Sequence, residues 1–383
     1  MVINMQNLST LEIDRQALVN NIAIIRSFIP KETEISSVIK GNAYGHGISL
    51  MVPLLESLGI QSFSVFSSGE AMEALKVKNQ ATSLTIMGDI PDEDLKEVME
   101  KKIEQYVFNF YRLEKIKKLA NIYGLKARIH LEVETGMNRL GFRDDELSEV
   151  LKFLKNSPEA FELIGVCTHF AGAEKKENHP RVEKQIEKFN KIKALLEREG
   201  LQPQIYHTAC SAATLRFPET RMDRIRVGIL QYGLWPNLET YRAFQSENIE
   251  RTLIPILSWK SHVMAIKEIL PGESVGYHNS YQAKTNVRLA VIPVGYHNGF
   301  SRDASKESEV IIGEKKFPVV GFVSMNSLSV LIGEEDIRVG DEAILIGKKG
   351  KVEIRVSAFD DFSSHFNYET LSRLPESLTR KVV

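Results

Sequence analysis

The sequence predicts an α/β fold: an N-terminal (β/α)8 TIM barrel followed by a C-terminal, mostly-β domain. Three observations carry this. Strand-like and helix-like segments alternate eight times over about 230 residues. No Gly-x-Gly-x-x-Gly follows the first of these strands, which argues against a doubly wound open sheet. From roughly Ile249 the alternation stops, and strands follow one another with turns between them. The expected domains are 1–248 and 249–383, with residues 8–13 free to pair with the second.

Leu8–Ile13 reads as a short strand. Asp14 then caps a helix that carries Leu18, Ile22 and Ile25 on one face and stops at Pro30. The repeating unit begins with strand Ile35–Lys40 and an amphipathic segment, Ile48–Leu58. Strands Ser62–Phe66, Ser83–Met87, Gln105–Phe108, Ala127–Val133, Leu163–Thr168 and Tyr206–Cys210 each precede a helical pattern, and Arg224–Ile229 is the eighth strand. Beyond residue 249 the strand candidates are Ile256–Ile269, Arg288–Pro293, Glu309–Ile312, Val319–Phe322, Leu328–Ile332 and Glu342–Gly347. Pro271-Gly272, Gly313 and Gly340-Asp341 supply the turns, and Val356–Phe366 reads as a helix.

Composition narrows the function. There are 49 basic and 50 acidic residues, which gives no reason to expect nucleic acid or an anionic membrane as partner. No apolar stretch approaches the ~20 residues of a spanning helix, and Met1–Thr10 shows no secretory signal. Cys167 and Cys210 form no Cys-x-x-Cys pair, so a reduced, cytoplasmic setting is expected.

In such barrels the chemistry lies at the C-terminal ends of the strands. Those ends present Lys40 with Tyr44 beyond it, Glu132, Glu134 and Arg139, His169, His207 and Ser211, and Arg226 with Gly228-Ile229. Singly, each has a plain explanation. Lys40 fits a head that snorkels from a strand end. His169 fits a core histidine, Arg226 a salt bridge to Asp223 or Glu219, and Ser211 a helix cap. Together they differ. A desolvated lysine is a nucleophile able to form a Schiff base. Ser211 and the Gly228 and Ile229 amides suit a phosphate. That pairing is what pyridoxal phosphate requires. Val-Gly-Tyr-His-Asn occurs twice, at 275–279 and 294–298, yet no metal-ligand spacing accompanies its histidines, so no metal is expected. No Walker A loop and no Gly-x-Ser-x-Gly elbow is present.

These motifs resemble the alanine racemases, fold-type III pyridoxal-phosphate enzymes, over essentially the whole chain. The matching segments are Lys40-Gly-Asn-Ala-Tyr-Gly-His-Gly47, Glu134-Thr-Gly-Met-Asn-Arg-Leu-Gly141, Thr168-His-Phe170, Ser211-Ala-Ala213 and Arg226-Val-Gly-Ile229. Tyr232-Gly-Leu234, Pro271–Tyr277, Ile292–Tyr296 and Ser324-Met325 follow in order. The resemblance implies interconversion of L- and D-alanine, supplying D-alanine for peptidoglycan. It implies that Lys40 carries pyridoxal 5'-phosphate and is one base, with Tyr277 of the partner subunit as the other. It places Arg226, seconded by His207, at the pyridine nitrogen and His169 on the ring. Tyr44, Ser211, Gly228, Ile229 and Tyr368 fall on the phosphate. Arg139 and Met325 fall in the substrate site, and Tyr296 at its entrance. It also implies a homodimer with shared sites. His46 receives no role beyond loop structure.

The match has departures. Glu132 stands where many members carry a lysine modified to a carbamate, and would supply a carboxylate to hold Arg139. Cys210 replaces a usual asparagine, Asn298 an aspartate, and Asn326 follows Met325 where aspartate is usual. His278 and Asn279 follow Tyr277 where smaller or basic residues are common. The alternatives are therefore a serine or broader amino-acid racemase, a decarboxylase of the same fold type, or a non-catalytic pyridoxal-phosphate-binding protein.

Overall fold

The computed structural model describes residues 8–247, 250–302, 308–356 and 367–383. The helix expected at Val356–Phe366 lies, apart from Val356, outside the described residues. The described chain gathers into two compact units. One draws on Ala17–Gly41 and Met51–Ile254, the other on Met1–Gln16, Asn42–Leu50 and Pro255–Val383.

The first described strand, β1 (Thr10–Ile13), belongs to the second unit. The first unit holds β2 (Glu34–Val38), β3 (Ser62–Val65), β4 (Ser83–Ile86), β5 (Glu104–Val107), β6 (Ala127–Glu132), β7 (Phe161–Cys167), β8 (Ile205–His207) and β9 (Arg224–Val227). They form one parallel sheet in the order β8-β7-β6-β5-β4-β3-β2-β9. Its edges meet where the Arg226 amide donates to the Ala209 carbonyl (2.9 Å) and the Asp223 amide to the Tyr206 carbonyl (3.2 Å), closing a barrel. Helices pack outside it through apolar stripes. On His179–Arg198 the stripe is Val182, Ile186, Phe189, Ile192 and Leu196, at three- and four-residue spacing. Each such buried side chain contributes about 1.5–3 kcal/mol.

The barrel interior is polar. Glu104 on β5 meets Arg224 of β9, on the far side of the barrel, at 3.3 Å, and the Ser36 and Ser64 hydroxyls share a hydrogen bond (2.8 Å). β2 ends at Val38, two residues before the lysine that the sequence places in the strand. Lys40 opens a separate one-turn segment, Lys40–Tyr44.

The second unit holds β10 (Leu257–His262), β11 (Ala265–Ile269), β12 (Ser274–Val275), β13 (Tyr281–Gln282), β14 (Val287–Ile292), β15 (Glu309–Ile312), β16 (Lys315–Val320), β17 (Leu328–Leu331), β18 (Glu342–Lys349), β19 (Val352–Ile354) and β20 (Thr379–Val382). One sheet runs β11-β14-β17-β16-β15-β18-β10-β1-β20, with β19 beside β18 and β12–β13 as a separate hairpin. β1 pairs antiparallel with β10 and parallel with β20. The single strand expected at Ile256–Ile269 divides after His262, because β10 pairs with β18 and β11 with β14. Asn42–Leu50 joins this unit through close backbone packing. The Arg380 Nε donates to the Gly45 carbonyl (2.8 Å), and a Cβ on Gly45 would lie 1.9 Å from the Leu371 carbonyl oxygen.

Candidate active site

Lys40 is held from the residues before it. The Val38 carbonyl accepts from Gln231 Nε2 and from the Tyr232 hydroxyl, both at 3.1 Å, and the Ile39 amide donates to Ser64 (2.9 Å). The chain then turns left-handed, with φ of 63°, 51°, 54° and 52° at Gly41, Asn42, Ala43 and Tyr44. Left-handed backbone costs a non-glycine residue about 1–2 kcal/mol, and such strain gathers at functional sites. Two side chains close the turn. The Asn42 Oδ1 accepts from the Ile48 amide (2.9 Å), and His46 Nδ1 donates to the Ala43 (2.9 Å) and Tyr44 (3.0 Å) carbonyls. Burial pushes His46 down to about 4, so its ring is neutral. The residue that received no role therefore closes the turn that follows Lys40. Burial and then the Arg139 charge lower the Lys40 amine below its ordinary value.

Arg226 is buried and ends a hydrogen-bonded chain inside the barrel. Its Nη1 donates to His207 Nδ1 (2.8 Å) and to the His207 carbonyl (2.8 Å), and its Nη2 to the Thr168 (2.7 Å) and Thr208 (3.1 Å) carbonyls. His207 Nε2 lies 2.9 Å from His130 Nδ1, and His130 Nε2 lies 2.9 Å from Glu104 Oε2. An arginine only donates, which fixes every proton in the chain. His207 Nδ1 accepts, so its Nε2–H donates to His130 Nδ1, and His130 Nε2–H donates to Glu104. Electrostatics agrees. Burial lowers both histidines, His207 well below its ordinary value. Burial would raise the Glu104 carboxyl, but His130, Arg224 and Arg128 together hold it down to about 2. Gly165 makes room for the chain: a Cβ there would lie 2.2 Å from His130 Nδ1 and 3.1 Å from His207 Nε2. The sequence reading names His207 but misses His130, Glu104 and Gly165. The available signals are a histidine between Ile129 and Leu131 and a glycine inside a strand.

Other predicted residues lie at or beyond the C-terminal ends of further barrel strands. The Gly228 amide donates to the Ser211 hydroxyl (3.1 Å), and Ile229 opens a short 3-10 turn, so a hydroxyl and two strand-end amides lie together. His169 is pushed down to about 3 by burial and by the Arg226, Arg139 and Lys40 charges, which places the four groups in one field. Arg139 is exposed. Glu132 is buried, and its Oε2 has no hydrogen-bond partner among the described residues. Burial raises its carboxyl to about 7 against the pull of Arg226 and Arg139. The expected Glu132–Arg139 hydrogen bond is absent among the described residues, and the two interact through charge alone.

The remaining predicted site residues lie in the second unit. Tyr44 and Tyr368 meet edge to face with ring centroids 6.1 Å apart. Tyr277, Tyr296 and Met325 are exposed on neighbouring loops: the Tyr296 amide donates to the Ser324 carbonyl (3.1 Å), and the His297 amide to the Met325 carbonyl (3.0 Å). The described residues contain no cluster of side chains suited to a metal ion, and no helix among them is long and apolar enough to cross a membrane.

Comparison with known proteins covers both units. The family model "Alanine racemase, N-terminal domain" matches residues 13–236, and "Alanine racemase, C-terminal domain" matches residues 256–382. An alanine racemase of Leptospira interrogans is 32% identical over 378 residues, spanning 98% of this chain and 96% of the relative. One from Halothermothrix orenii is 29% identical over 371 residues, spanning 97% and 95%. Among solved structures, alanine racemase from Bacillus anthracis with bound L-Ala-P superposes with a TM-score of 0.91 at 30% identity, covering 99% of this chain and 96% of that one. The cycloserine complex from Clostridium difficile 630 gives 0.88 at 28% identity, covering 99% and 96%.

Proposed function

Since the chain belongs to the alanine racemase family, we propose that it interconverts L- and D-alanine, with pyridoxal 5'-phosphate as cofactor and Lys40 and Tyr277 of the partner subunit as opposed bases. One observation carries the reading. A buried lysine follows the C-terminal end of β2, and β2 pairs with β9, whose end carries Arg226 and the Gly228 amide that donates to Ser211.

The donor set fits the cofactor. Ser211, the Gly228 and Ile229 amides, Tyr44 and Tyr368 would hold its phosphate, Lys40 its aldehyde carbon, and Arg226 its ring nitrogen, with the neutral His169 against the ring. When bound, pyridoxal phosphate supplies the electron sink that acidifies the substrate Cα–H. The rest falls to the chain. Burial favours the neutral Lys40 amine, the form that accepts a proton. Arg226 stays a donor throughout, because a guanidinium does not give up its proton. Its four acceptors hold it in place, so it would support the ring nitrogen without protonating it. Arg139 would clamp the substrate carboxylate, with Met325 of the partner subunit lining the substrate site. One base cannot serve both faces of a planar centre, so a second must come from the other side. Tyr277, 67% exposed, is available to a second copy of the chain, which supports a homodimer with shared sites. The D-alanine formed would supply peptidoglycan.

The test is racemisation of L-alanine, L-serine and L-lysine with added pyridoxal phosphate, read by chiral product analysis, for the parent and Lys40→Ala. Turnover of L-alanine above the other two, abolished in Lys40→Ala, is expected. Full racemisation in Lys40→Ala would overturn the role of the lysine. Preference for serine or lysine would overturn the substrate.

A further inference from the structure

Glu70 lies three residues into a helix capped by Ser67, whose hydroxyl accepts from the Glu70 amide (3.3 Å). In a capping box the carboxylate at this position turns back to the amide of the cap residue itself. Glu70 does otherwise. Its Oε2 accepts from the amide of Phe66, one residue ahead of the cap, at 2.8 Å. Its Oε1 reaches the loop after β2 and accepts from the Gly41 amide at 2.6 Å. Gly41 directly follows Lys40 and begins the left-handed turn. One carboxylate thus ties the loop after β2 to the loop after β3. Its charge also opposes the lowering of Lys40 by burial and Arg139.

We propose that Glu70 is a positioning residue for Lys40: by accepting from the Gly41 and Phe66 amides, it fixes the backbone that aims the lysine amine. Val38 and Ile39 anchor the chain before Lys40, and Glu70 anchors it after. A left-handed turn relaxes when an end is released, because right-handed backbone is lower in energy for Ala43 and Tyr44. Small displacements of a reacting amine cost up to about a hundredfold in rate. The proposal rests on the assignment of Lys40 above.

The test uses Glu70→Ala, Glu70→Gln and Ser67→Ala holoenzymes, with kcat and KM for racemisation and hydrogen exchange at the Gly41 and Phe66 amides. Glu70→Ala is expected to lower kcat about ten- to a hundredfold, with KM within about threefold of the parent and protection lost at both amides. Glu70→Gln presents one acceptor oxygen instead of two and falls between. Ser67→Ala removes the helix cap alone; it is expected to lower the melting temperature and leave kcat and the Gly41 protection unchanged. Parental kcat in Glu70→Ala, or a Ser67→Ala loss as large as that of Glu70→Ala, overturns the proposal. Lys40→Ala keeps the two questions apart. If it retains racemisation, the lysine assignment fails; if it is inactive while Glu70→Ala is fully active, only the role of Glu70 fails.

Discussion

The two copies of Val-Gly-Tyr-His-Asn share five residues and differ in backbone. In the first copy Val275 ends β12 and residues 276–279 lie in the loop of the β12–β13 hairpin, whereas residues 294–298 follow β14. In the first copy Gly276 has φ 71° and ψ −161°, a region open essentially to glycine, and His278 and Asn279 are left-handed at φ 62° and 50°. In the second copy Gly295 is extended, and the left-handed residue is Gly299, beyond the repeat. The shared glycine therefore serves two purposes. Gly276 is required for its conformation, whereas a Cβ on Gly295 would lie 2.1 Å from the Ser324 carbonyl oxygen. Tyr277 is 67% exposed on the strained turn, and Tyr296 is 43% exposed on the relaxed one. The neighbour decides the difference: glycine follows the second copy and absorbs the reversal, while serine follows the first and leaves it to His278 and Asn279.

The largest effect that sharpens this contrast is on rate. Tyr277→Phe removes the hydroxyl proposed as the second base and is expected to lower racemisation about a thousandfold, most directly in proton removal from the L-enantiomer. Tyr296→Phe is expected to change kcat by no more than about threefold. Initial rates measured in both directions for both variants decide the matter. Equal losses would erase the functional distinction between the turns.

Comparing turn variants across pH requires the background from the barrel, where Glu132 titrates. Its carboxyl is raised from 4.5 to about 7, so the folded state holds that proton more tightly than the unfolded chain. This contribution is complete below about pH 4.5 and is lost as pH rises through 7. Relative to Glu132→Gln, the parent should lose about 3 kcal/mol of stability between pH 4.5 and pH 8, read from denaturant unfolding at both ends. A pH-independent difference would show that Glu132 keeps an ordinary carboxyl. On activity, Glu132→Gln is expected to impair substrate binding through the lost charge beside Arg139, seen as a raised KM.

The same contrast marks what was legible in the sequence. Periodic features were: the strand and helix alternation is local, and the residues closing each barrel strand can be read by counting. Lys40, Arg139, His169 and Arg226 were singled out that way, and the charges of the other three act on His169, although Lys40 and Arg139 lie beyond the strand ends. Features set by distant contacts were not. Glu104 and His130 look like isolated polar residues until the barrel closes and brings β5, β6 and β8 together. The membership of Asn42–Leu50 in the second unit depends on Leu371 and Arg380, more than 300 residues away along the chain. Glu70 reads as an ordinary acidic residue in a first helical turn. The two pentapeptides read identically, and only context separates them.

Stability probes that context at smaller scale. In the second copy Asn298 Oδ1 accepts from the Gly295 amide (3.0 Å), and Asn298→Ala should cost about 1 kcal/mol in chemical denaturation.

The smallest predicted effect has opposite signs in the two copies. His278→Gly removes a side chain from left-handed backbone, which favours the variant by about 1 kcal/mol. Part of that is offset, because the His278 ring packs edge-on against Phe322 at 5.9 Å. His297→Gly places glycine in backbone that any residue adopts, and should cost about 0.5–1 kcal/mol. Urea unfolding of the pair should therefore move the midpoint up for His278→Gly and down for His297→Gly. If both move down, the Phe322 contact outweighs the backbone term, and the first turn is held by packing as firmly as the second is by hydrogen bonds. If they diverge, the strain is real stored energy at the tyrosine assigned to catalysis. Addition of a glycine after Asn279, as Gly299 follows Asn298, should then let the first copy relax toward the second and withdraw Tyr277 from its exposed position.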